Sequence, residues 1–292
     1  MQTRRARDNV ARTAHLTAWV RALGRLTAGE AANGDYLAEQ FLLPSQRRFN
    51  RLPRVSRWLL ERLAPGAFGY FNARTRYFDE VLHRESLAGL DQLVLLGAGF
   101  DSRPWRFARE LGGARVFEVD LAQNLSIRSE RMAGHPAAAA PAVSVPIDFD
   151  RDDLAEALSA RGYRASARTL FLWEGVTYYL PASAVQAVLS TIAALSREGS
   201  SLVFDYVTQS FFEGDHTSHG AARLADGWRR LGNVHRSGVA DASSLLARFG
   251  FQLRSELDAV ELERRYLSQL PGPVVRAWGP MRIAHAVRVR AS

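Results

Sequence analysis

The sequence predicts an α/β fold, in which a mostly parallel, seven-stranded sheet carries helices on both faces and follows an N-terminal helical cover. Short apolar segments that end in glycine or an acid alternate along the chain with segments of helical periodicity. Such alternation is typical of a parallel sheet covered on both faces. Apolar residues make up 47% of the 292 residues, which is enough for a packed core.

The predicted elements follow in chain order. The cover has three helices, because apolar residues recur at helical spacing over 10–26, 54–64 and 74–88. Buried strands are predicted over 91–99, 114–120, 142–148, 168–175 and 199–207. The helices between them are predicted over 104–111, 121–132, 151–161 and 182–197. Alternation near the end predicts an antiparallel pair of strands at the sheet edge, 251–257 and 282–290.

Composition excludes some classes of protein. The chain has no cysteine, so disulfides and thiolate chemistry are excluded. No apolar run approaches the length of a membrane span, and no apolar segment follows the N-terminal arginines as in a secretory signal, so we expect a cytoplasmic protein without a membrane partner. The net charge is +8, and residues 1–80 hold 14 arginines against 7 acids. We interpret this excess as a solvated helical surface, with an anion-binding face as the alternative; no nucleic-acid module is recognisable, so no nucleic acid is expected.

The first predicted strand ends in two glycines, in the segment "LVLLGAGFDSRPWRF". Gly97 and Gly99 let the backbone turn tightly and approach a ligand, and ligands of such sheets bind outside the carboxyl ends of the strands. A dinucleotide fingerprint would place a third glycine where Ser102 stands, and Asp101 would repel a pyrophosphate. S-adenosylmethionine has an ammonium, a sulfonium and no phosphate, so it tolerates this carboxylate.

Acidic residues also end the next strands. Asp120 ends "VFEVD", where an acid can bind two ribose hydroxyls; a helix cap is the alternative role. Asp148 could bind an adenine amino group while Phe149 packs its ring, although a cap at the next helix explains this aspartate nearly as well. Glu174 follows a buried strand and needs a partner, which the ammonium of the cofactor would supply.

The segments "LLGAGFDSRPWRF", "VFEVD", "LFLWEGVTYYL" and "GSSLVFDY", in this order and spacing, resemble the leucine carboxyl methyltransferase-like family. Its members are class I S-adenosylmethionine-dependent O-methyltransferases, and a bacterial branch methylates polyketides. The resemblance covers roughly residues 10–205. It implies a Rossmann-like class I methyltransferase fold in a single domain, with a helical cover over 1–90, a cofactor-binding core over 91–205, and an acceptor-pocket insertion with antiparallel strands over 206–292.

The resemblance also implies roles for single residues. An arginine before the first strand would bind the cofactor carboxylate, which is Arg74 or, because the local spacing is ambiguous, Arg76. A surface salt bridge is the alternative role of Arg74. Tyr179 would stand near the transferring methyl group, or else pack in the core. The implied cofactor-binding residues are Arg74, Gly97, Ala98, Gly99, Asp101, Asp120, Leu121, Asp148, Phe149 and Glu174.

Residues 206–235 match no pattern that we can assign, and they follow the fifth strand, where such enzymes often build the acceptor pocket. The aromatic residues of this segment would line that pocket or pin the loop to the core: Tyr206, Phe211, Phe212 and Trp228. His216 is a candidate base, with His219 and His235 as further candidates. Two histidines in a loop make a poor metal site, so no metal is expected.

The function expected from the sequence is therefore S-adenosylmethionine-dependent O-methylation of a carboxylate or hydroxyl on a small molecule, such as a polyketide-type secondary metabolite. Alternatives are a protein C-terminal carboxyl methyltransferase, a nicotinamide-dependent oxidoreductase and a non-catalytic adenosyl-binding protein. The oligomeric state stays open.

Overall fold

The computed structural model describes residues 2–135, 142–149, 151–230 and 237–290, with the side chains from residue 13 onward. The chain divides into two compact units. The first unit contains Met1–Asp79, Ser210–His235 and Leu257–Arg282. The second unit contains Glu80–Gln209, Arg236–Glu256 and Ile283–Ser292.

The seven predicted strands are present. In chain order they are β1 Gln92–Leu96, β2 Arg115–Asp120, β3 Ala142–Pro146, β4 Thr169–Trp173, β5 Ser201–Val207, β6 Phe251–Leu257 and β7 Met281–Arg288. They form one sheet in the order β3-β2-β1-β4-β5-β7-β6. The strand order reverses between β1 and β4, which is the feature of doubly wound sheets that places the ligand site.

The direction of the strands agrees with the sequence pattern. β1 runs parallel to β2 and β4, β2 runs parallel to β3, and β4 runs parallel to β5. Arg288 at the end of β7 exchanges backbone hydrogen bonds with Gly199 and Ser200 at the start of β5, and Val289 donates to Gly250 just before β6. Because the end of β7 meets the starts of both neighbours, β7 runs antiparallel to β5 and β6, as predicted.

The helices match the predicted periodicity with one exception. They are α1 Gln2–Ala28, α2 Pro44–Phe49, α3 Pro53–Leu63, α4 Ala67–Leu87, α5 Arg103–Arg106, α6 Ala122–Met132, α7 Leu154–Ala160, α8 Ala182–Leu195, α9 Gln209–Phe212, α10 Ala221–Arg230, α11 Ala242–Ala247 and α12 Ala259–Leu262. The helix predicted over 104–111 is wrong, because the chain continues after Arg106 in turns that lead to Gly112 and Gly113. In the described residues, no helix is long and apolar enough to cross a membrane.

Each unit has its own core. In the second unit, β1, β4 and β5 are buried along their whole length, and Trp173 packs on Phe204 with ring centroids 6.2 Å apart. In the first unit, the ring of Trp278 lies 5.1 Å from that of Phe71 and 5.8 Å from that of Tyr70. Apolar burial of this extent stabilises each unit by itself.

A buried histidine makes the stability of the second unit depend on pH. Burial, together with the nearby positive charges of Arg84 and Arg254, lowers the pKa of His285 to about 4. Glu85 lies 3.9 Å from His285 Nε2, too far for a hydrogen bond, and its carboxylate is engaged by Arg168 at 2.6 Å. His285 is therefore neutral in the folded protein above about pH 4.

We expect acidification to destabilise the protein through His285. As the pH falls below about 6.5, the unfolded chain takes up a proton at this residue, and the folded chain does not until about pH 4. This site alone then costs about 3 kcal/mol of unfolding free energy across that interval. His285→Gln removes this part of the pH dependence in urea unfolding, whereas His83→Gln, at an exposed position of α4, leaves it in place. Identical pH profiles for the wild type and His285→Gln would contradict the assignment.

Candidate functional site

The candidate site lies in the second unit, at the carboxyl ends of β1 to β4. The turn that follows β1 begins at Gly97, whose φ of +73° favours glycine. A Cβ atom on Gly97 would lie 2.4 Å from Cγ2 of Val176, so the loop after β4 approaches too closely for any side chain. The amides of Gly97 and Ala98 both donate to the carbonyl of Val119, which ties the turn to the end of β2.

Asp120 at the end of β2 is buried and faces this turn. Its Oδ2 accepts a hydrogen bond from the Gly99 amide at 2.6 Å, and its Oδ1 accepts bonds from the Leu121 amide and the Asn124 side chain, both at 2.7 Å. Burial raises the pKa of Asp120, and these hydrogen bonds, with Arg128, oppose that shift. The residue thus holds the glycine turn and bonds to Leu121 and Asn124 at the start of the next helix, whose N-cap residue is Leu121. A carboxylate oxygen can accept two bonds, so Oδ2 keeps capacity for a ligand hydroxyl.

Arg103 links two of the predicted site residues. Its Nη1 lies 2.6 Å from Oδ2 of Asp101 and 2.8 Å from Oε2 of Glu174, and the arginine side chain is only 3% exposed. The partner expected for Glu174 was a ligand ammonium, but the chain itself supplies a cation there. The signal was present in "FDSRPW", where an arginine follows an aspartate in an apolar context.

Asp205 is a second residue that the sequence analysis missed. It lies in β5 and is fully buried, and its Oδ1 accepts a hydrogen bond from the Gly175 amide at 2.6 Å. The hydroxyl of Thr177 donates to the Asp205 carbonyl at 2.5 Å. These bonds fix the loop that carries Glu174. The signal was an acid inside the apolar run "LVFDYV".

Asp148 and Phe149 follow β3 and are half-buried. The N-cap of α7 is Asp153, whose side chain accepts a hydrogen bond from the Glu156 amide. Asp153, and not Asp148, therefore has the helix-cap role that was the alternative for Asp148. The Asp148 carboxylate lies 3.9 Å from the exposed Arg151, and its amide donates to Asp152. The ring of Phe149 packs against the core of the second unit.

Tyr179 ends a short 3-10 turn, Thr177–Tyr179, after the Glu174 loop. Its side chain is half-buried, and its ring centroid lies 5.0 Å from that of the buried Tyr178. The packing role falls mainly on Tyr178, because Tyr179 retains exposed surface.

Arg74 belongs to the first unit. It is 3% exposed, so its side chain is buried, and its guanidinium lies 5.0 Å from the ring of Phe71. Arg76 donates to the backbone carbonyls of Ala31 and Tyr266 at 2.8 and 3.2 Å. Arg74 and Arg76 both stay candidates for a ligand carboxylate.

The candidate bases differ in environment. His216 is exposed, and its Nε2 lies 3.2 Å from the Phe211 carbonyl. Burial lowers the pKa of His219, and Arg276 lowers it further against the opposing effect of Glu263. His235 lies outside the described residues. Among the residues that are described, no group of histidine and acidic side chains could hold a metal ion.

The aromatic residues of the segment 206–235 belong to both units. Tyr206 lies in the second unit and donates to Glu256. In the first unit, Phe211 is buried and its ring lies 5.3 Å from that of Trp228, while Phe212 is half-buried and lies 5.9 Å from the same ring. Phe211 therefore pins the loop, and Phe212 keeps surface that a ligand could contact.

A doubly wound sheet with acidic residues at its switch point defines a class of proteins that bind nucleotide-type cofactors. Residues 14–193 match the family model described as leucine carboxyl methyltransferase. The chain belongs to the leucine carboxyl methyltransferase family, which confirms the family that the motifs predicted.

Known proteins with similar sequences carry related names. A Frankia alni protein is 37% identical over 155 residues, which are 52% of this chain and 54% of that protein. A Mycolicibacterium paratuberculosis protein is 34% identical over 204 residues, which are 67% of this chain and 63% of that protein. Both are named "Putative S-adenosyl-L-methionine-dependent methyltransferase". The chain thus spans between half and two thirds of the length of these relatives.

Solved structures confirm the fold. A DUF574 family protein from Streptomyces avermitilis is 13% identical, with a TM-score of 0.54 over 92% of this chain and 96% of that one. An O-methyltransferase family protein from Burkholderia thailandensis is 12% identical, with a TM-score of 0.51 over 89% and 74% of the two chains. At these identities the likeness shows the class I, Rossmann-like fold alone.

Proposed function

We propose that this protein is an S-adenosylmethionine-dependent O-methyltransferase that methylates a carboxylate or hydroxyl of a small molecule, such as a polyketide-type metabolite. The observation that carries the proposal is the charge of the site. Asp101, Asp120 and Glu174 supply three carboxylates; Arg103 pairs with two of them, and Arg128, whose charge also acts on Asp120, is itself paired with Glu118. A pyrophosphate would be repelled there, whereas the ammonium and sulfonium of S-adenosylmethionine would be attracted. The names of the sequence relatives support the same cofactor.

The residues of the site fit this cofactor by chemistry. The Asp120 carboxylate would accept hydrogen bonds from the ribose hydroxyls, because its Oδ2 accepts only one bond from the chain, that of the Gly99 amide. The carboxylate of Asp148 would accept a hydrogen bond from the adenine amino group. Phe149 would pack against the adenine ring, and Leu121 would lie beside the ribose. Glu174 and the glycine turn, Gly97, Ala98 and Gly99, would surround the methionine part, and Arg74 or Arg76 would bind its carboxylate.

S-adenosylmethionine supplies a methyl group on a sulfonium, which an acceptor oxygen takes by direct substitution. The protein must align the acceptor and exclude water. Arg103 fixes the positions of Asp101 and Glu174 through its two ion pairs, which favours an ordered site. A carboxylate acceptor needs no base. For a hydroxyl acceptor, Tyr179 and His216 are the candidates to contact the reacting group, and His219 is a further base that the lowered pKa keeps neutral at pH 7.

Titration calorimetry with S-adenosylmethionine and with NAD tests the cofactor. We expect saturable binding of S-adenosylmethionine and none of NAD. Binding of NAD alone would favour the oxidoreductase alternative and overturn the proposal. Transfer of labelled methyl to small aromatic acids and phenols, compared with a leucine-terminated peptide, then separates small-molecule methylation from protein carboxyl methylation, which the family description keeps open.

We propose further that residues 206–235 line the acceptor pocket, and Phe212 gives the sharpest test. Phe212→Ala removes half-exposed aromatic surface, so we expect kcat/KM for the acceptor to fall about tenfold with little change in melting temperature. Phe211→Ala is the matched comparison: it empties a buried site and costs roughly 3 kcal/mol or more of unfolding free energy. If Phe212→Ala leaves acceptor turnover unchanged, the pocket lies elsewhere.

A further inference from the structure

An exposed apolar surface lies on α3 and on the residues just before it. Six large apolar side chains there are more than a third exposed, and Leu52 and Leu63 reach 65% and 68%. These side chains, which we call the α3 surface, are Phe49, Leu52, Val55, Trp58, Leu59 and Leu63. Single exposed apolar residues are common on proteins, but a group of six along one helix and the residues just before it marks an interaction site.

The geometry of α3 separates this surface from the side that packs on the protein. At 3.6 residues per turn, Val55, Trp58, Leu59 and Leu63 fall within about 140° of the helix circumference. The buried residues of the helix, Ser56 and Leu60, lie to one side of that arc. The helix therefore packs on its own unit along one side, and the apolar side chains of the α3 surface are exposed on the adjacent side.

The α3 surface is set in a strongly basic segment. Residues 43–63 contain six arginines and one acid, Glu61. Five of the arginines are exposed: Arg47, Arg48, Arg51, Arg54 and Arg62. The sixth, Arg57, lies over the ring of Phe68 at 4.4 Å, and Arg62 lies over the ring of Trp58 at 5.2 Å. The solvated surface expected from the sequence explains the arginines but not the apolar side chains between them.

We infer that the α3 surface docks on an anionic lipid bilayer, with α3 lying in the plane of the interface. Arginines would meet the lipid phosphates while Trp58 and the leucines enter the boundary of the acyl chains, which is how interfacial helices bind membranes. The charge favours this occupant: a second copy of the chain would bring two arginine-rich segments together, and a nucleic acid would leave the apolar side chains exposed. Such docking is peripheral and needs no membrane-spanning helix, and it replaces the expectation from the sequence that the protein has no membrane partner.

Sedimentation of the full-length protein with vesicles tests the inference. We expect binding to vesicles of equal parts phosphatidylcholine and phosphatidylglycerol, weakening as salt rises, and little binding to phosphatidylcholine alone. The paired change Arg51→Gln and Arg54→Gln should lower the partition coefficient about fivefold for each arginine. The paired change Trp58→Ser and Leu63→Ser should lower it at least tenfold.

Matched controls keep the result specific. Val274→Ser removes an apolar residue that is 89% exposed outside the α3 surface, and Arg290→Gln removes an exposed arginine near the C-terminus; both should bind vesicles like the wild type. The changed side chains are exposed, so melting temperatures should stay the same. Equal binding to both vesicle types, no binding, or controls as weak as the test variants overturns the inference. So does a dimer by light scattering that the Trp58 and Leu63 changes dissociate, or duplex DNA that binds more tightly than vesicles.

Discussion

Asp120→Asn lowers the affinity for S-adenosylmethionine at least tenfold in a protein that stays folded. The carboxylate is placed by three hydrogen bonds, and it would give two charge-assisted bonds to the ribose hydroxyls. Each such bond is worth about 1.5–3 kcal/mol, so weakening both by removing the charge costs more than the roughly 1.4 kcal/mol of a tenfold change. Asparagine keeps the shape but has one acceptor oxygen, so it supports either the glycine turn or the helix start, and urea unfolding measures the cost of the lost bond separately. Titration calorimetry measures the loss.

A matched change at Asp241 controls for general effects of removing an acid from the second unit. Asp241 is exposed and caps α11 by accepting from the Ser243 and Ser244 amides, so Asp241→Asn alters a helix cap and leaves the site intact. We expect wild-type affinity from this variant. If Asp120→Asn also binds S-adenosylmethionine like the wild type, Asp120 is not a cofactor ligand, and its role is the local one that the structure shows.

Arg103→Met destabilises the protein by about 3 kcal/mol and weakens cofactor binding at least tenfold, because Asp101 and Glu174 lose the side chain that fixes their positions and this loss outweighs the gain in negative charge. The arginine is 3% exposed, and its removal leaves the carboxylates of Asp101 and Glu174 near each other without the cation between them. Breaking a buried ion pair from one side is costly for this reason. Urea unfolding measures the loss of stability, and calorimetry measures the loss of affinity.

The triple variant Arg103→Met, Asp101→Asn and Glu174→Gln separates the two effects. With the carboxylates neutralised, no charge is left uncompensated, so we expect most of the stability to return. Cofactor affinity should stay low, because the acids that would attract the cationic ligand are gone. Wild-type stability of Arg103→Met would show that the contacts of this arginine contribute nothing net, and recovery of affinity in the triple variant would remove Asp101 and Glu174 from the site.

The sequence by itself determined the sheet, the family and most of the candidate site. β1 and β4 are buried on both faces, and the periodicity changes at glycines and acids, so β1, β2 and β4 end where their residues indicate. The positive φ at Gly97 was equally local, because glycine adopts it readily, whereas the close approach of Val176 is a tertiary contact. Information of this kind lies in short segments, and a single sequence contains it.

Only the tertiary structure decided which side chains meet. Arg103 reaches Glu174 across 71 positions of sequence because β1 and β4 are neighbours in the sheet, and no local pattern specifies that pairing. The burial of Phe211, the half-exposure of Phe212 and the outward arc of α3 likewise depend on what packs against them. Helical spacing predicts that a helix has an apolar face; the surrounding structure determines whether that face is covered.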